Sequence, residues 1–371
     1  MDRLAPLDVR DVGCNEYPQM MEIGHTVSSE PIPQKTTRIK DVARAAGVST
    51  ATVSHVINKT KYVTDRTRDS VLKAIELCNY YPNAQARSLA SGRTDIIGLV
   101  VSDIANPFFP DLVKSIEMAA FERGYNTILL NTNYDANRAA DYVRRLIGLK
   151  VAGVALMTAE LDPVLIQELI RKNISVVSQN FGRISEHMSN VVIDYAVGVD
   201  EAVSHLASLG HRHIVHVAGP SQLDATNVRR DAFLSSVARH IPNAKTGVYE
   251  GDFKFEGGRR AAVEILAADE LPTAILTAND MMAFGVMKEL HKAGLSIPND
   301  ISLVGFDDIA FAELTEPPLT TIRLSRVELG RRTVEALMNN IDQPREPGRE
   351  VRIPTYLIKR GSTAPPRLSK H

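Results

Sequence analysis

The chain has 371 residues, 44% hydrophobic and 23% charged, the balance of a soluble protein with room for two or three cores. It holds no run of eighteen apolar residues and no basic-then-apolar leader, which argues against a membrane span and a secretory signal. The formal net charge is only −1, yet residues 37–94 hold ten Lys/Arg against four Asp/Glu while both flanks are acidic. A small basic head on an acidic body is the charge footprint of a nucleic-acid-binding module.

Residues 1–36 mix Pro, Gly, Ser and acids without periodicity and are expected to be a disordered tail. Ile39–Asn58, IKDVARAAGVSTATVSHVIN, then carries two short amphipathic patterns. Val42, Ala43 and Ala46 share one face, Gly47 permits a left-handed turn, and Ser49 stands where an N-cap belongs. Val53, Val56 and Ile57 repeat the apolar stripe in the second pattern. Thr64 opens a third helix with Val71, Ala74, Ile75 and Cys78 on one face. Two short helices joined by a glycine turn form a helix-turn-helix. Its second helix exposes Thr50, Ala51 and His55 in the half that meets base edges in such motifs.

From Ile96 the pattern becomes strand–helix alternation. IIGLVV (96–101), TILLN (127–131), AGVALM (152–157) and SVVSQ (175–179) read as buried parallel strands. HIVHVAG (213–219), TAILTA (273–278) and ISLVGF (301–306) continue the series, so a doubly wound α/β body with two lobes is expected.

These residues carry a family resemblance. IKDVARAAGVSTATVSHVINKTKYVTDRTRDSV, then YYPNAQARSLASGRT and IGLVV, resembles the lactose/galactose-repressor (LacI/GalR) family from about residue 37 to the C-terminus, with a head most like that of purine repressors. The resemblance implies a transcription regulator, a repressor, with Thr50, Ala51 and His55 facing bases of double-stranded operator DNA. Thr52, Ser54, Asn58 and Lys61 would sit near phosphates, which position the head without reading sequence. Ala51 stands where several members carry a hydroxyl or amide, so a thymine methyl would be its partner. PNAQARSLA (82–90) resembles the family's hinge, with Leu89 matching a leucine that wedges into the minor groove. The expected layout is a tail (1–36), a helix-turn-helix domain (37–82), a hinge (83–94) and a two-lobed, periplasmic-binding-protein-like domain for effector binding and dimerisation (95–371).

By the same resemblance Asp103, Phe108 and Phe109 line the interlobe cleft, Arg229 is the pocket arginine, and Phe253 stacks on ligand. Asn279 matches a polar contact, or equally an N-cap of the helix after it, and Asp307 matches a carboxylate for ligand hydroxyls. Asp308 and Arg230 are expected to face solvent. Asn180-Phe181 stands where sugar binders often show Asp-Arg, and Leu223 and Ala225 where purine repressors hold their base. A nucleobase is therefore disfavoured, and the neutral Asn180 suits a sugar or, better, a sugar acid.

Two half-sites call for a homodimer on a near-palindromic operator, and the C-terminal segment lacks the leucine heptads of a tetramer-forming tail. Cys14 and Cys78 lie far apart, and His211, His213 and His216 lack convergent ligand spacing, so neither metal nor cofactor is expected, and a reducing cytoplasm is. An enzyme would need a phosphate loop or catalytic motif that the chain does not contain. The alternative, a periplasmic-type sugar-binding protein without a regulatory role, would share the body but has no use for the basic head.

Overall fold

The computed structural model describes residues 37–58, 60–81, 94–158, 161–182 and 185–367. The expected tail, most of the hinge and Leu89 lie outside the described residues. The chain forms two units, one ending at Pro82 and the other beginning at Asn83.

In the first unit α1 (Ile39–Ala46), α2 (Thr50–Asn58) and α3 (Asp65–Leu77) enclose a small core of Val42, Ala43, Val53, Val56, Val71 and Ala74. Gly47, at φ 67°, ends α1, and the next amide, of Val48, donates back to the Ala43 carbonyl at 3.0 Å. Ser49 Oγ accepts from the Thr52 amide at 3.1 Å and Thr64 Oγ1 from the Thr67 amide, so both polar residues expected to start helices do so.

The second unit begins with β1 (Ile96–Val101), α4 (Phe108–Phe121), β2 (Asn126–Asn131), α5 (Ala136–Leu149) and β3 (Gly153–Met157). It continues with α6 (Pro163–Arg171), β4 (Ser175–Gln179) and β5 (Ser189–Asp194). A second series follows: α7 (Tyr195–Ser208), β6 (His213–Ala218), α8 (Asp224–His240), β7 (Lys245–Glu250), α9 (Phe255–Leu266), β8 (Ala274–Thr277), α10 (Asp280–Lys292), β9 (Ser302–Asp307) and β10 (Thr320–Leu324). Last come α11 (Arg326–Asp342) and β11 (Glu350–Ile358). No helix among the described residues is long and apolar enough to cross a membrane.

The strands run in the order β2-β1-β3-β4-β5-β11-β10-β9-β8-β6-β7. All pairings are parallel except β10 with β11. Each half has the same winding, and its order reverses between β1 and β3 and again between β6 and β8. Those reversals open crevices at the carboxyl ends of the strands. β11 joins the halves: Glu350–Pro354 pairs with β5, whereas Thr355–Ile358 pairs with β10. The chain crosses between lobes there, at Asp194–Tyr195, and at Ser325, where α11 returns to pack on α4 through a Ser115 hydroxyl donating to the Val327 carbonyl at 3.2 Å. Doubly wound architecture with two lobes is thus what the α/β pattern predicts and what the chain adopts.

Candidate functional site

A cavity of about 440 Å³ lies between the lobes. It is walled by the carboxyl ends of strands from both: Ser102 follows β1, Thr158 follows β3, Asn180 follows β4, Asn279 follows β8, and Asp307 ends β9. Aromatic side chains dominate one part of its wall, namely Phe108, Phe109, Tyr134, Phe181, Tyr195 and Phe253. Phe108 and Phe109 meet edge to face at 5.4 Å, and the Tyr134 ring from the first lobe stacks on Phe253 from the second at 6.4 Å.

Arg229, one turn into α8, is the centre of this wall. Its Nη1 donates to the Ala278 carbonyl at 2.7 Å and its Nη2 to the Tyr195 hydroxyl at 3.2 Å. The guanidinium carbon sits 4.4 Å from the Tyr195 ring centre, 4.8 Å from that of Phe306 and 5.4 Å from that of Phe253. Burial works against its charge, but Tyr195 and Asp307 more than offset that and hold the group above its ordinary pKa. Burial pushes the Asp307 carboxyl up to about 7, opposed by the charges of Arg229 and Arg326 and by a hydrogen bond from Asn106.

Asn180 accepts the Ile193 amide on Oδ1 at 2.7 Å and donates through Nδ2 to the Tyr195 hydroxyl at 3.0 Å. Asn279 takes the capping role weighed above: Oδ1 accepts from the Met282 amide at 2.9 Å while Nδ2 donates to the Phe253 carbonyl at 2.7 Å. That second bond holds Phe253 at φ 63°, with its ring in the cleft. Asn279 therefore lines the cavity with its side chain already engaged.

Seven of the eight expected effector residues line the cavity; Asp103 does not. Its carboxylate accepts the Ala105 amide at 3.0 Å and closes a turn, and Ser102 and Asn106 form the wall instead. The expectation that Asp308 faces solvent is also corrected. It is 5% exposed and paired with Arg323 and Arg360, because Asp307 at φ 107° and Asp308 at φ 53° leave extended backbone and strand alternation no longer applies. Tyr195 and Tyr134 belong to the wall although neither was singled out from the sequence.

The three histidines point to separate structural partners. His211 bonds Thr273 at 2.9 Å and Ser302 at 3.1 Å, and His213 lies 3.7 Å from Glu270. His216 meets the Leu276 carbonyl at 2.9 Å, and burial, reinforced by the Arg229 charge, lowers its pKa to about 4. Among the described residues no cluster of His, Cys, Asp or Glu could hold a metal ion.

In the head, Thr50, Ala51, Asn58 and Lys61 are exposed, and Thr52, Ser54 and His55 half-buried. Thr52 Oγ1 is tied to Ser49 at 2.9 Å, and Asn58 donates to Ser54 at 3.1 Å. His55 Nδ1 meets Thr60 Oγ1 at 2.9 Å, which leaves Nε2 for an external partner. The first turns of α1 and α3 carry Asp41 and Asp65, whereas that of α2 has no acid. Its positive dipole end is therefore open to an anion.

Comparison with known proteins gives two family matches: bacterial regulatory proteins of the lacI family over residues 38–83, and the periplasmic binding protein-like domain over residues 203–363. The chain is 35% identical over 328 residues to the ribose operon repressor of Escherichia coli (strain K12), spanning 87% of this chain and 99% of that one. It is 36% identical over 315 residues to the HTH-type transcriptional repressor PurR of Glaesserella parasuis serovar 5 (strain SH0165), spanning 83% and 92%. A solved lac repressor dimer bound to operator and the anti-inducer ONPF superposes with a TM-score of 0.77 at 27% identity, covering 89% of this chain and all of that one. A LacI family transcriptional regulator from Enterococcus faecium with bound ribose matches at 0.67 and 31%, covering 73% of this chain and all of that one. The chain belongs to the LacI family of bacterial regulatory proteins.

Proposed function

We propose that the protein is a homodimeric transcriptional repressor whose hold on operator DNA is switched by a neutral sugar in the interlobe cleft. The carrying observation is Arg229 set among aromatic rings and facing Asp307, in a cavity walled by strand ends of both lobes. Flat apolar rings suit the C–H faces of a sugar, while a few fixed polar groups orient its hydroxyls. The relatives named above are repressors, and a ribose-bound regulator is among the structural neighbours, which supports this reading.

The charge balance favours a neutral ligand over the sugar acid inferred from Asn180. Arg229 is the only cation among the described lining residues, against Asp224 and Asp307, and Asp307 already interacts with it. A carboxylate would meet a site with no surplus positive charge.

On the DNA side we assign base contacts to Thr50, Ala51 and His55, and phosphate contacts to Thr52, Ser54, Asn58 and Lys61. The protein then acts in the cytoplasm, on the chromosome, and by binding rather than by catalysis. A thermal-shift screen of sugars, sugar acids and nucleobases identifies the effector, since a ligand of the folded state raises stability. Fluorescence anisotropy on a selected operator then reads the switch. Arg229→Met is expected to keep operator affinity and lose the sugar response; a variant that responds normally refutes the assigned cleft.

A further inference from the structure

The hydrogen bonds around Tyr195 set a direction at one corner of the cleft. The Ile193 backbone amide can only donate, and it donates to Asn180 Oδ1 at 2.7 Å. That contact fixes the amide orientation, so Asn180 presents its NH₂ to the Tyr195 oxygen at 3.0 Å. Arg229 has donors only, and its Nη2 reaches the same oxygen at 3.2 Å. Both lone pairs of the phenol oxygen are thereby taken. Tyr195 is 3% exposed and lines the cavity, so its own hydrogen is left for whatever occupies the cleft.

Resting on the sugar-binding reading, we propose that Tyr195 is a specificity-determining donor that requires an acceptor oxygen on the ligand, such as the ring ether oxygen of a closed sugar. Asn180 is the positioning residue that sets this polarity. An aspartate there would accept the Tyr195 hydrogen itself and remove the donor from the cleft. Asn180 thus reverses the demand made on the ligand while leaving the shape of the site almost unchanged. Two further groups in the wall, Arg229 Nε and Gln179 Oε1, are buried without a protein partner, one a donor and one an acceptor. A sugar, whose hydroxyls both accept and donate, suits a wall that presents both kinds of group.

The test has two arms, both on the full chain. Without ligand, ultraviolet resonance Raman difference spectra against Tyr195→Phe isolate the Tyr195 ring doublet, which reports whether the phenol oxygen mainly accepts or donates. An acceptor-type doublet in the parent and a donor-type doublet in Asn180→Asp are expected; identical doublets overturn the inference, whatever the cleft binds. With D-ribose as the probe, calorimetry should find its carbocyclic analogue, in which a methylene replaces the ring oxygen, about tenfold weaker on the parent. In Tyr195→Phe the two should bind within about twofold of each other. A residue with only a structural role would lower both affinities and keep their ratio, which would overturn the assignment. Failure of D-ribose to bind the parent overturns the choice of sugar instead, and the Raman arm then decides the inference alone.

Discussion

Replacing Asp307 with asparagine should change the pH dependence of the body's stability in a defined direction. The side chain is 6% exposed, and burial raises its carboxyl to about 7 against an ordinary value of 3.8. Between those pH values the folded state holds a proton that the unfolded chain has released. Stability therefore falls as pH rises through this window, and the full cost is present only above about pH 7. Roughly three pH units at about 1.4 kcal/mol each put that cost near 4 kcal/mol. Asparagine keeps the shape and carries no charge, so the variant should exceed the parent by up to about 4 kcal/mol at pH 8 and match it near pH 4. Asp280, fully buried and raised well above its ordinary value by burial and by the Asp307 charge, is also relieved, with the same sign. Equilibrium denaturation followed by circular dichroism at several pH values between 4 and 8 measures the difference. Parallel curves, or a variant less stable than the parent at pH 8, would refute the reasoning. They would mean that the Arg229–Asp307 attraction outweighs desolvation.

Two further substitutions probe the support beneath the cleft. Asp308→Ala should cost about 1–3 kcal/mol in the same denaturation assay, because Arg323 and the largely buried Arg360 lose their shared carboxylate while Arg360 keeps Glu313 at 3.0 Å. Gly305→Ala would place a methyl carbon 2.1 Å from Asp280 Oδ1. Asp280 cannot withdraw, since Thr321 holds that oxygen at 2.6 Å and the Ile309 amide holds the other at 2.9 Å, so a loss of about 1–3 kcal/mol is expected. A melting temperature equal to the parent's would count against either account.

Most strands legible in the sequence are buried on both faces and have continuous apolar runs: IIGLVV, AGVALM and ISLVGF became β1, β3 and β9, while the edge strand β2 was read from its TILLN run. β5, β7, β10 and β11 carried no such signal. KTGVYE is an edge strand with mostly exposed residues, and EVRIPTYLI holds a proline where it passes from one sheet to the other. The cleft divides in the same way. Asn279 and Asp307 sit at or just beyond recognisable strands, whereas Arg229 lies within α8 and Phe253 follows the unread β7, and family resemblance pointed to all four. Tyr195 starts a helix directly after the unread β5, so its place in the cleft follows only from the crossover between lobes. Asp308 was misassigned because two consecutive left-handed residues break the alternation on which the reading relied.

The crossovers also bear on how a small neutral ligand could drive the switch. Tyr195 follows the first crossover directly, and Arg326 stands just after the second. Arg326 donates to the Asp307 and Asp308 carbonyls at 2.8 and 2.9 Å and pairs with Asp111 of α4 at 3.2 Å, so it spans the lobes directly behind the site. A ligand shifts the equilibrium between lobe arrangements only by its difference in affinity for them. Reversing a 99:1 population requires about 5.5 kcal/mol, whereas one neutral hydrogen bond contributes about 1 kcal/mol. No single contact suffices. On the proposed reading, simultaneous bonds from a ligand to Tyr195, Arg229 and Asp307 of the second lobe, with contacts to first-lobe residues such as Phe109 and Tyr134, would reach that size only when both lobes contribute. The contacts have to come from both lobes because only those made in the closed arrangement and absent from the open one supply differential affinity.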